Sequence, residues 1–113
     1  MDWKVPLSDV KFDRAEIDAV TSVLESGWLT MGAVTAEFEK EFAAYSGAKH
    51  ALAVTNATVA LHMACLALSL GPGDEVILPS LTFVATANAV RYTGAEVVFA
   101  DITSPQDLTL SPA

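Results

Sequence analysis

The sequence predicts an α/β fold in which two leading helices precede a parallel sheet. Two stretches with apolar residues at three- and four-residue spacing end at Gly27 and Gly47. Three short apolar runs follow at 50–55, 75–79 and 96–101. The segments between these runs read as helices, and every connection is only a few residues long. Strand–helix–strand–helix–strand with such links implies right-handed crossovers and parallel strands.

Asp13 and Glu16 have capping-box spacing, and Ile17, Val20, Val23 and Leu24 line one face behind them. With Gly27 at the left-handed position after its end, this predicts a helix over 14–26. A second helix starts near Ala33, where Val34, Phe38 and Phe42 fall four apart with Tyr45 beside them, and Gly47 closes it. Between the two lies a short glycine-flanked loop, Gly27-Trp28-Leu29-Thr30-Met31-Gly32, that carries exposed apolar residues. His50-Ala51-Leu52-Ala53-Val54-Thr55 is apolar on both faces, as a buried parallel strand would be. Asn56 is a good N-cap for a helix with Leu61, Cys65 and Leu68 inward, and Gly71-Pro72-Gly73 is expected to end it. A strand over 75–79, a helix over 83–92 capped by Ser80 or Thr82 and closed by Gly94, and a strand over 96–101 complete the alternation. In the tail, Ser111-Pro112 reads as a helix start, so the expected organisation is a helical segment 1–47, the strand–helix alternation 48–102, and a loop into a truncated helix over 103–113. The length allows one domain that buries about two thirds of its unfolded surface.

Composition excludes several classes. The chain has 113 residues, 52% hydrophobic and 18% charged, with a net charge of −8. A disordered segment would hold fewer apolar residues, and a nucleic-acid binder would be basic. The single cysteine, Cys65, permits no internal disulfide, and Met1-Asp2-Trp3-Lys4 does not open a secretory signal, so a cytoplasmic location is expected. The most apolar stretch, 57–70, is broken by His62 and Ser69 and falls short of the roughly 20 residues of a bilayer span. No internal repeat or charge block is present. A mean hydropathy of +0.42 is high for a small soluble domain and suggests apolar faces meant for sequence or a subunit beyond this chain.

In open parallel sheets, ligands bind outside the carboxyl ends of the strands, and three features fall there. Thr55-Asn56-Ala57-Thr58 hands the first strand to its helix. Bare amides at the helix N-terminus favour an anion, the small Ala57 allows close approach, and the Thr58 hydroxyl adds a donor. Since every βα unit has such a turn, the residues alone fit an ordinary N-cap as well as a phosphate site. The turn is neither a GxGxxG fingerprint nor a P-loop. Phe83, after the second strand, either stacks on a flat ring or fills the core. Asp101, ending the third strand, reads first as a structural acceptor for loop N–H groups. His50 and His62 have no partners at ligand spacing, so no metal is expected. No Ser–His–Asp or Cys–His arrangement is present, and Cys65 reads as a small core residue.

The order of several blocks carries a resemblance. These are Ser26-Gly27-Trp28-Leu29-Thr30 with Gly32, Glu37-Phe38-Glu39 with Glu41-Phe42-Ala43, and Asn56-Ala57-Thr58 with Ala60-Leu61-His62. Gly71-Pro72-Gly73-Asp74-Glu75-Val76-Ile77, then Pro79-Ser80 with Thr82-Phe83-Val84-Ala85-Thr86, and Val97-Val98-Phe99 with Asp101-Ile102 complete the series. Over residues 5–112 the chain resembles the amino-terminal portion of the DegT/StrS sugar aminotransferases. The resemblance implies the three-layer, parallel-sheet large domain of fold type I enzymes, truncated here and with leading helices, and pyridoxal 5′-phosphate as cofactor. It implies that Ala57 and Thr58 cradle the phosphate, with Asn56 at the same turn, and that Phe83 stacks on the pyridine ring. It further implies that Trp28, Leu29 and Thr30 line the site for a nucleotide-linked keto-deoxysugar, that glutamate or a similar donor supplies the amino group, and that the enzyme is a homodimer in deoxyaminosugar biosynthesis. Neither nucleic acid nor membrane is an expected partner.

The lysine that bonds the cofactor and the carboxylate that holds its ring nitrogen are expected downstream of this chain. Lys4, Lys11, Lys40 and Lys49 match neither position nor role, so no catalytic residue is expected here and the segment alone should be inactive. A sugar dehydratase of the same family, an amino-acid-directed enzyme of the same fold type, and a non-catalytic Rossmann-like nucleotide-binding module are the alternatives.

Overall fold

The computed structural model describes residues 10–111, which divide into two compact units on either side of Ala53 and Val54. In the first unit, α1 (Arg14–Ser26) opens on the capping box: Asp13 Oδ1 accepts from the Ala15 amide at 2.8 Å, and Glu16 Oε2 accepts from the Asp13 amide at 2.8 Å. Gly27 closes it with φ 71°, a conformation that costs a residue with a Cβ. Helix α2 (Ala33–Ser46) ends the same way at Gly47 and buries Ala43. Both apolar stripes, including Ile17, Leu24, Phe38 and Phe42, are exposed.

The expected strand over 50–55 is absent. A strand exists only as a ladder, and here the Ala53 amide donates to Glu39 Oε1 at 2.8 Å instead of to a neighbouring backbone. The two units divide just after it, at 53/54.

The second unit begins with α3 (Ala57–Ala67), capped by Asn56 as expected. Its end differs from the expected glycine stop. Ser69 takes the left-handed position at φ 59°, its amide donates to the Leu66 carbonyl at 2.9 Å, and the Leu70 amide donates to the Cys65 carbonyl at 3.2 Å. This is a Schellman closure. Gly71-Pro72-Gly73-Asp74 forms a separate turn, fastened by the Asp74 carboxylate on the Gly71 amide. Cys65 packs toward the core, whereas Leu61 and Leu68 do not.

Strand β1 (Glu75–Pro79) pairs in parallel with β2 (Glu96–Ala100), Leu78 opposite Phe99, so the parallel sheet has two strands and not three. Helix α4 (Val84–Arg91) crosses between them and supplies Val90, 2% exposed, to a core with Leu78 and Ala95. Phe83, not Ser80 or Thr82, is its N-cap; the Thr82 hydroxyl meets Thr86 Oγ1 at 2.9 Å instead of capping the backbone. Helix α3 packs on α4, with the His62 and Tyr92 rings edge to face at 5.4 Å.

Residues 102–110 form a hairpin where a loop was expected. Strand β2 stops at Ala100, one residue before Asp101, and β3 (Ile102–Ser104) pairs antiparallel with β4 (Asp107–Leu110). The turn is Ser104-Pro105-Gln106-Asp107, where Ser104 Oγ accepts from the Gln106 and Asp107 amides at 3.2 and 3.1 Å. Pro112, on which the expected helix start rested, lies outside the described residues, as do Met1 to Lys4.

Candidate functional site

The turn into α3 is built by Asn56. Its Oδ1 accepts from the Val59 amide at 3.0 Å and its carbonyl accepts from the Ala60 amide at 3.2 Å. The first satisfies one of the four amides that a helix start leaves open, and the second is the first regular bond of the helix. The Ala57 and Thr58 amides keep no protein partner among the described residues, and neither does the half-buried Thr58 hydroxyl. Helix α3 carries no Asp, Glu, Lys or Arg, so no acidic side chain of its own opposes an anion at its positive end. Three donors of one short turn, two of them backbone, are therefore without a protein partner among the described residues. Asn56 shapes this turn by capping, and its side-chain oxygen is already spent.

Phe83 is 76% exposed at the start of α4 and belongs to no core cluster. Among the described residues nothing covers the ring as a core would. No hydrogen bond or ring contact joins Phe83 to Asn56, Ala57 or Thr58. Asp101 takes the structural role: its Oδ1 accepts from the Ile102 amide at 2.8 Å, and its carbonyl accepts from the Ser111 amide at 3.0 Å. Those bonds join the end of β2 to the hairpin.

The loop of the first unit is a separate feature. Trp28, Leu29 and Thr30 line a surface concavity of about 870 Å³ between α1 and α2. Gly27 turns the chain, the Ser26 hydroxyl accepts from the Trp28 amide at 3.2 Å, and the indole Nε1–H donates to the Met31 carbonyl at 3.2 Å. The indole N–H is thus used within the loop, and a ligand would meet the ring face. Gly32, against which that ring lies, was not singled out as a site residue from the sequence. A glycine four residues beyond a loop tryptophan is the only signal it leaves there.

Of the remaining candidates, His62 faces Tyr92, and Lys40 lies 3.3 Å from Glu37. Among the described residues no group of His, Cys, Asp and Glu is placed to hold a metal, and no helix is long and apolar enough to cross a membrane.

Comparison with known proteins gives a consistent answer. The model of the DegT/DnrJ/EryC1/StrS aminotransferase family matches residues 10–113. The spore coat polysaccharide biosynthesis protein SpsC of Bacillus subtilis is 54% identical over 98 residues, 87% of this chain and 25% of that protein. A UDP-4-amino-4-deoxy-L-arabinose–oxoglutarate aminotransferase of Shewanella sediminis is 42% identical over 105 residues, 93% of this chain and 27% of that one. Among solved structures, the E. coli GDP-4-keto-6-deoxy-D-mannose-3-dehydratase with bound hydrated PLP superposes with a TM-score of 0.85 at 29% identity, covering 94% of this chain and 28% of the other. The chain thus spans about a quarter of the length of these relatives and matches their amino-terminal portion.

Proposed function

The chain belongs to the DegT/DnrJ/EryC1/StrS aminotransferase family and has the α/β arrangement of fold type I enzymes, and from that premise we propose that it forms the cofactor-cradling part of a pyridoxal-phosphate sugar aminotransferase. The reaction is transfer of an amino group from glutamate or a similar donor to a nucleotide-linked keto-deoxysugar, in a homodimeric cytoplasmic enzyme. The observation that carries the reading is the pair of bare amides at Ala57 and Thr58 beside a free hydroxyl. That donor set suits a phosphate dianion, and charge-assisted bonds of this kind contribute about 1.5–3 kcal/mol each.

In this reading Ala57 and Thr58 hold the phosphate, and Asn56 keeps the turn open for it by fixing the helix start. Phe83 lays its exposed face along the pyridine ring and orients it. When bound, the cofactor supplies the electron sink for ionising a C–H bond next to the amino nitrogen. Trp28, Leu29 and Thr30 form a wall for the sugar nucleotide. Covalent attachment of the cofactor is assigned to none of Lys4, Lys11, Lys40 and Lys49, and ring-nitrogen protonation is not assigned to Asp101, whose carboxylate is engaged by Ile102. Residues 1–113 alone are therefore proposed to be inactive.

The dehydratase reading is favoured by the superposition on two dehydratase structures, the E. coli one among them. Incubation of the full-length protein with ¹⁵N-glutamate and UDP- or GDP-linked 4-keto-6-deoxysugars separates the two. A sugar nucleotide that gains ¹⁵N supports the aminotransferase. One that loses water and gains no ¹⁵N makes the protein a dehydratase. A protein that does neither and binds no pyridoxamine phosphate refutes both.

A further inference from the structure

The loop residue Gly32 has φ −169° and ψ −150°, outside the left-handed region that demands glycine. It is also the N-cap of α2, where it offers no side-chain cap. Ser, Asp or Asn would serve that helix better. The space around it supplies the reason. A Cβ placed on Gly32 would lie 2.4 Å from Nε1 and 2.8 Å from Cδ1 of Trp28. Both atoms belong to a rigid ring whose N–H donates to the Met31 carbonyl, so the ring cannot bend aside and must turn as a whole. Heavy atoms settle near 3.5 Å, so any side chain at Gly32 displaces the indole by about 1 Å and breaks its hydrogen bond.

We infer that Gly32 is a positioning residue for Trp28: its missing side chain seats the indole against the loop backbone, and this fixes the ring face that the loop presents to a nucleotide sugar. The second half of the statement rests on the proposal that Trp28, Leu29 and Thr30 line that site. The helix gives up an N-cap side chain so that the ring can lie flat. Gly32 touches no ligand in this account and acts only through Trp28.

The test is Gly32→Ser in the full-length protein, a variant that inserts the Cβ while supplying a better N-cap to α2, so that loss of folding does not obscure the result. Trp28 is followed by ¹⁹F NMR of 5-fluorotryptophan protein, its resonance assigned by its disappearance in Trp28→Ala. UDP and GDP are the binding probes. Gly32→Ser should shift the Trp28 resonance, weaken binding of whichever nucleotide the parent prefers by roughly tenfold, and leave pyridoxamine phosphate binding unchanged. In a Trp28→Ala background the same substitution should weaken nucleotide binding no further. An unmoved Trp28 resonance overturns the seating of the ring. An equal loss in both backgrounds overturns the positioning role, because Gly32 would then act without the indole. If the resonance moves but neither Gly32→Ser nor Trp28→Ala changes nucleotide binding, the seating stands and the loop is not the sugar-nucleotide wall. Failure of the cradle would show separately, as a parent protein that does not bind pyridoxamine phosphate.

Discussion

Thr58→Ala isolates one donor of the cradle. The substitution removes a hydroxyl that has no protein partner among the described residues, so no hydrogen bond within the fold is lost with it. Thr58 lies in the first turn of α3, where alanine is the better helix former by about 0.5 kcal/mol. Stability should therefore hold or rise slightly. Cofactor affinity should move the other way, because one charge-assisted bond of about 1.5–3 kcal/mol disappears, a loss of roughly 10- to 150-fold. Calorimetric titration of the full-length protein with pyridoxamine 5′-phosphate measures this without a covalent link to the protein. Thr58→Ser, which keeps the hydroxyl, should stay within about threefold of the parent. Equal affinity in Thr58→Ala and the parent would refute the placement of the phosphate. So would an equal loss in the serine and alanine variants, which would assign the effect to the methyl group.

Three further outcomes follow from the same geometry. Ala57→Pro deletes one bare amide at the first helical position, where proline is tolerated, and Asn56 is already extended at φ −167° and ψ 167° as a residue before proline must be. Circular dichroism should show the helix content unchanged while pyridoxamine phosphate affinity falls by roughly tenfold or more; unchanged affinity rejects the cradle. Phe83→Ala should weaken pyridoxamine phosphate binding by roughly fivefold or more, about 1 kcal/mol, with no fall in Tm, since the ring is exposed; a large fall in Tm with intact titration would return Phe83 to the core. Asp13 is held below the usual aspartate range, first by the Ala15 amide and then by its bond with Glu16. A carboxylate lowered on folding stabilises α1 fully above its unfolded pKa and loses that contribution as pH falls through the lower folded value. A ¹³C titration of the Asp13 carboxyl should therefore give a midpoint below that of an unstructured aspartate, and a midpoint at or above it contradicts the capping box.

Local chemistry made the helices legible. The Asp13–Glu16 pair, Asn56, Gly27 and Gly47 each act on a backbone within a few residues, and the structure uses them as the sequence suggests. Features that depend on distant partners were not legible. Residues 50–55 have strand composition but no ladder, and the Ala53 amide goes to a carboxylate fourteen residues away. The hairpin turn has a local signal, proline after serine in Ser104-Pro105-Gln106-Asp107, but the pairing of its strands has none. At the candidate site, the sequence marked the turn at Asn56, but its residues alone read first as a plain N-cap and only second as an anion cradle. Only coordinates could separate the two amides that Asn56 engages from the two it leaves bare. Gly32 was illegible for a related reason: its role is set by where an indole ring lies, not by its own backbone.

The most direct measurement is a crystal structure of the full-length protein with pyridoxamine 5′-phosphate bound. Phosphate oxygens should lie about 2.7–3.0 Å from the Ala57 and Thr58 amides, with the Phe83 ring against the pyridine face. A phosphate seated elsewhere, or those two amides bonded to protein atoms in the occupied state, would contradict this placement.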